Sequence, residues 1–91
     1  MSILIQIPRI LGKYTNGQEQ FSVEARSLRA ALNEIKHRHP ALYSCICDET
    51  DTVRTHVNLF VNNEIVVDRK TLALALKPND VVSVFQAVSG G

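Results

Sequence analysis

Apolar residues alternate at the start of the chain, fall at helical spacing in its centre, and alternate again at its end. Ile3, Ile5 and Ile7 share one face by the period of two, and their β-branched side chains favour an extended chain. Pro8 has no N–H to give a ladder and closes this first strand, predicted over Ser2–Pro8. Turn residues fill Gly12 to Gln18, with Asn16-Gly17 a strong hairpin signal. Glu19–Glu24 alternates again with Phe21 and Val23 on one side, so strands one and two are expected to form an antiparallel hairpin.

The period changes at Ser27. Leu28, Ala31, Leu32 and Ile35 make one apolar stripe, Ser27 suits the N-cap, and Lys36, His37, Arg38 and His39 sit where cations suit a helix C-terminus. Pro40 stops the helix. Arg26, Arg29, Lys36 and Arg38 read as its solvated charges. Ala41-Leu42-Tyr43 reads as a short turn on the core, and Asp48–Asp51 as a solvated loop.

His56–Val61 is a third strand with Val57, Leu59 and Val61 on one side, and Asn62-Asn63 a tight turn of positive φ. Glu64–Val67 is a short fourth strand. Leu72, Leu74 and Leu76 lie in a connection with an expected helical turn. Lys77–Asp80 is a turn, and Val81–Phe85 is the last strand. The order strand, strand, helix, strand, strand, strand predicts an α+β layer fold. It is the β-grasp, a mixed sheet of four to five strands with one main helix on one face. Its first and last strands run side by side and parallel.

This order changes how the apolar residues outside the core are read. With Val57, Leu59, Val82 and Val84 facing the helix, Phe60 and Phe85 face the other way on neighbouring strands. Two aromatics together on an open sheet face form a candidate docking patch. The bland alternative is scattered apolar surface.

Composition narrows the class. Ninety-one residues make one domain, and a net charge of +1 without a basic cluster argues against a nucleic-acid binder. Ile3-Leu4-Ile5 is too short and too soon interrupted for a signal peptide or membrane span, so a cytoplasmic protein is expected. Cys45 and Cys47 are badly placed to bridge each other and read as free thiols. Together with His37, His39 and His56 they offer metal ligands on paper, but the spacing fits no standard zinc signature, and no metal is expected.

The chain ends on Ala87-Val88-Ser89-Gly90-Gly91. The division expected is a folded body over 1–86 and a flexible tail over 87–91. Glycines without a Cβ are thin and conformationally free. Val88, Ser89 and Gly90 could therefore thread a narrow channel and bring the α-carboxyl of Gly91 to a catalyst. A Gly-Gly end alone is weak, since chain ends often carry glycine incidentally. The body behind it gives it weight.

The element order, the Val57–Asn62 strand, the Asn79-Asp80 turn and the Ala87–Gly91 ending resemble the MoaD/ThiS family of ubiquitin-like sulfur carriers across the whole chain. The opening Ile7–Leu11, the Thr15–Gln18 turn and the ending are most similar to the CysO-type carriers of cysteine biosynthesis. Gln86 stands where many relatives have proline, and Asn79 where the turn usually has glycine. The resemblance implies that Gly91 is adenylated by an E1-like enzyme of the MoeB/ThiF type and converted to a thiocarboxylate. ATP is used by that partner, and the carrier binds no cofactor of its own and catalyses nothing. A sulfur-accepting synthase, a cysteine synthase foremost, and a JAMM-type metalloprotease complete the implied partners, with no nucleic acid and no membrane among them. A molybdopterin synthase small subunit is the second pathway, carriers of the thiamine branch being usually shorter. A ubiquitin-like protein modifier and a plain interaction module are the alternatives of other classes.

Overall fold

The computed structural model describes residues 2–86. Ser2–Gln6 (β1) and Gln20–Glu24 (β2) pair antiparallel from Ser2–Glu24 to Gln6–Gln20. Val57–Val61 (β3) pairs antiparallel with Glu64–Ile65 (β4) and with Val81–Gln86 (β5), and β5 runs parallel to β1. The five strands lie in the order β2-β1-β5-β3-β4, so the last strand occupies the centre. This is the expected mixed sheet with parallel first and last strands.

One face carries the core. Ile3, Ile5, Val57, Leu59, Val82 and Val84 on the strands are buried against Leu28, Ala31, Leu32 and Ile35 of the helix Leu28–Arg38 (α1). Truncating any of the larger ones to alanine is expected to cost about 2–5 kcal/mol. Ser27 caps α1 as predicted, its Oγ accepting from Ala30 N–H at 3.1 Å. The other free donors of the first turn find long-range partners. Leu28 N–H donates to Leu74 O and Arg29 N–H to Leu72 O, while Leu76 N–H donates back to Arg26 O.

Those bonds overturn the helical turn expected around Leu72–Leu76. The segment is extended, bridges Ser27 through Ala75, and opens on Leu72 at φ 52°. It finishes the helix N-terminus, whose free N–H groups demand acceptors. A second correction concerns Pro40. It ends α1 and also begins Pro40–Ile46 (α2), where its missing N–H costs nothing. Leu42, Tyr43 and Ile46 of α2 are buried, so the expected short turn is a helix. The predicted hairpin joins β1 and β2 through a longer connection holding a 3-10 helix, Arg9–Tyr14. Asn16 and Gly17 adopt positive φ there, and the buried Thr15 hydroxyl donates to Gln18 O at 2.5 Å. β4 is shorter than expected, ending at Ile65.

The turn entering β5 is fastened to the end of β3. Asn62 Nδ2 donates to Asp80 Oδ1 at 2.7 Å, and Val81 N–H to Asn62 Oδ1 at 2.9 Å. Asn62, Asn63 and Asn79 hold the positive φ values that asparagine tolerates better than most residues. This knot sets the register of β5.

Candidate functional site: the open sheet face and the exit of the last strand

The sheet face opposite the helices carries one continuous row across all five strands: Gln20, Gln6, Ser83, Phe60 and Ile65, joined pair by pair in the ladders. Its polar half is bonded side chain to side chain. Ser83 Oγ donates to Gln6 Oε1 at 3.2 Å, and Gln6 Nε2 to Gln20 Oε1 at 3.5 Å. The other half is apolar. Phe60 meets Phe85 edge to face, ring centres 5.3 Å apart at 88°. Phe85 is 54% exposed and Ile65 53%. The two rings expected to lie together do so, and Asn58 and Asn63 flank them. Rings in open contact offer a partner apolar area already ordered in one arrangement, which suits docking.

Phe85 pairs with Asn58, and Gln86, the last described residue, lies opposite Val57. The start of β3 has no strand on its outer side. Arg69 replaces one there, with Nη2 donating to Val57 O at 2.6 Å and also to Arg54 O, and Nη1 reaching Asn58 Oδ1 at 3.5 Å. Val53 N–H answers by donating to Arg69 O at 3.0 Å. The clamp holds β3 where β5 ends, and nothing in the sequence distinguished Arg69 from other surface arginines. The row of Gln20, Gln6 and Ser83 was also missed, although strand register joined to the period of two contains it. Val88, Ser89, Gly90 and Gly91, the expected working end, lie outside the described residues.

Charges on the opposite face serve the fold. Arg29 was expected in solvent. It instead donates to Tyr43 Oη at 3.2 Å and to the carbonyls of Asp51 and Lys70 at 2.8 Å each, tying three segments together. Tyr43 donates to Asp51 Oδ1 at 2.7 Å, and burial followed by this bond holds its phenol well above the ordinary value. The same bond, with Lys36 beside it, holds the Asp51 carboxyl below the usual carboxylate range. Arg38 caps an edge carbonyl, donating to Ser22 O at 2.8 Å, and lies over the ring of Phe21. Cys47 is buried, and burial pushes its thiol up, away from the reactive thiolate. His39 packs edge-on against Phe21. Among the described residues no three His, Cys, Asp or Glu side chains converge on a point that could hold a metal ion. Among them, too, no helix is long and apolar enough to cross a membrane.

Comparison with known proteins places this geometry. The ThiS family profile matches residues 5–91. The sulfur carrier protein CysO of Mycobacterium tuberculosis strain H37Rv is 30% identical over 93 residues, covering 100% of both chains. A crystal structure of Mycobacterium tuberculosis CysO superposes with a TM-score of 0.83 at 27% identity, over 94% of this chain and 99% of that one. A crystal structure of an Amycolatopsis orientalis BexX/CysO complex has the same fold, with a TM-score of 0.86 at 24% identity over 98% and 99% of the two chains.

Proposed function

The chain belongs to the ThiS family, and from that premise we propose that it is a cytoplasmic sulfur carrier whose reactive group is the terminal carboxylate of Gly91. The observation that carries the reading is the full-length likeness to a sulfur carrier that is itself 30% identical. The open aromatic face beside the end of β5 supports it. A carboxylate is a poor electrophile. An E1-like partner of the MoeB/ThiF type attaches AMP from ATP to the Gly91 carboxylate and releases pyrophosphate. A sulfide-equivalent donor then attacks the acyl carbon and AMP leaves, so one carboxylate oxygen is replaced by sulfur. The thiocarboxylate is anionic and nucleophilic near neutral pH, as thiolates are.

The carrier brings binding and delivery, and its partners bring the acid–base chemistry. Phe60 and Phe85 dock on the partner. Val88, Ser89 and Gly90 pass through its channel, where only small side chains fit. The receiving enzyme is a cysteine-forming synthase, and a JAMM-type metalloprotease acts on the product joined to the carrier.

The test is ATP–pyrophosphate exchange with the source organism's own adenylating enzyme. Exchange is expected with the wild type and lost when Gly91 is deleted, while the melting temperature stays unchanged. Exchange that survives the deletion would sink the mechanism. Conjugates to lysine that survive thiol reductant would show a protein modifier instead.

A further inference from the structure

β1 and β5 lie side by side for three residue pairs only, Leu4–Val81 to Gln6–Ser83. Beyond them β1 departs through Ile7 and Pro8 into the 3-10 helix. β5 continues to Gln86 with β3 alone beside it. Two hydrogen bonds fix which way its backbone groups point. Leu4 N–H donates to Asp80 O, so even-numbered residues address the β1 side. Asn62 N–H donates to Val81 O, so odd-numbered residues address β3. By the period of two, Val84 and Gln86 turn toward β1. Val57, opposite Gln86, uses its N–H on Arg54 O and its carbonyl on Arg69, in keeping with this alternation.

In a parallel ladder Val84 N–H reaches Gln6 O, and Val84 O would take the N–H of position 8. Position 8 is proline and has none. The β1 ladder stops at Gln6–Ser83, Val57 opposite Gln86 is bonded elsewhere, and no bond from a described loop residue reaches Val84 O or the N–H and carbonyl of Gln86. An open hollow adjoins Val84, with Pro8, Glu19, Gln20 and Phe85 in its walls. Three backbone groups at strand spacing recognise another backbone in extended conformation, and a sheet edge of this kind takes up a peptide strand.

We propose that the free edge of β5 at Val84–Gln86 is a strand-addition site for an extended segment of the adenylating partner. The residues beyond Gln86 argue for this occupant. They are small and end on the carboxylate to be activated. Delivered into a water-excluding site, their peptide groups need partners. Gln86 retains the N–H that a proline at this position lacks.

The inference rests on the carrier reading, and amide hydrogen exchange in the complex with the adenylating enzyme tests the two separately. In the free protein Phe85 N–H is protected by Asn58 and Gln86 N–H exchanges freely. In the complex, Gln86 N–H is expected to slow about tenfold or more. Gln86→Pro, which removes one donor, is expected to raise KM for the carrier several-fold with little change in kcat. Normal activation with Gln86 still unprotected overturns the strand addition and leaves the carrier function standing. Slowing of Gln86 in a complex whose KM is unchanged by Gln86→Pro describes mere enclosure and overturns it as well. Concentration-dependent protection of Gln86 in the free protein assigns the edge to a second copy of the chain and likewise overturns it. A wild type that is never adenylated overturns both.

Discussion

Phe85→Ala separates docking from folding. A phenylalanine side chain presents on the order of 200 Å², and Phe85 is 54% exposed. A partner can therefore cover roughly 110 Å², which at ~25 cal/mol per Å² is about 2.7 kcal/mol. Alanine keeps the Cβ, so the expected loss is about 2 kcal/mol, roughly thirtyfold in kcat/KM for carrier adenylation. The fold loses less than a core truncation would. The covered part of the ring, roughly 90 Å², less the retained Cβ, together with the edge-to-face contact with Phe60 gives about 2.5 kcal/mol, which lowers Tm by roughly 10–20 °C. Phe21, at 7% exposure, serves as the comparison, since its truncation should cost about 3–5 kcal/mol. Initial rates of pyrophosphate release against carrier concentration, taken well below Tm, give kcat/KM, and Phe85→Tyr should stay near the wild type. Unchanged kcat/KM for Phe85→Ala refutes a docking role for this face. Destabilisation as large as that of Phe21→Ala would place the ring in the core.

Three other outcomes follow from the geometry. Ser27→Ala removes the α1 cap and should cost about 1 kcal/mol, lowering Tm by about 4–8 °C with adenylation kinetics unaltered; an unchanged Tm would show the cap to be idle. The Thr71 hydroxyl and the backbone amides beside it hold the Asp68 carboxyl far below its ordinary value, and the Lys77 amide, then Asn62, lowers that of Asp80. Folded values below the unfolded ones give stability that is complete above about pH 4 and lost as pH falls through the folded values. Tm should therefore be level from neutral pH to mildly acidic pH and then drop, and Asp68→Asn should weaken that drop; a Tm that rises on acidification contradicts the assignment. Cys47, buried and with its thiol pushed up by burial, should react with iodoacetamide only on unfolding, whereas the half-buried Cys45 reacts in the native protein. Rapid native labelling of both would place Cys47 at the surface.

What could be read from residues alone was whatever repeats at a fixed period. The stripe Leu28, Ala31, Leu32 and Ile35, and the alternation of Val57 and Leu59 with Asn58 and Phe60, define which face of each element is apolar. Element order then sets β5 between β1 and β3, and so brings Phe60 to Phe85. The misses share a physical cause. Leu72–Leu76 looked ready for a helical turn. Its conformation is instead dictated by the unsatisfied donors of α1, remote in sequence. Arg29 and Arg69 bind mainly backbone carbonyls, and every residue has one, so no pattern marks their acceptors. Pro40 carries two meanings, stop and start, and the periodicity before it marks only the first. The open edge at Val84 was legible in part, since Pro8 announces a missing donor. Which strand misses it depends on the parallel pairing.

The central claim is that chemistry resides at the terminal carboxylate. Intact-mass analysis of the protein isolated from its native cell, under conditions that preserve thioacids, tests it most directly. The account predicts a population heavier by the exchange of one oxygen for sulfur, with the change confined to Gly91 on fragmentation and absent from cells lacking the adenylating enzyme. A protein bearing only an ordinary carboxylate in cells actively making the sulfur-containing product would contradict it, as would sulfur found on Cys45 or Cys47 in place of Gly91.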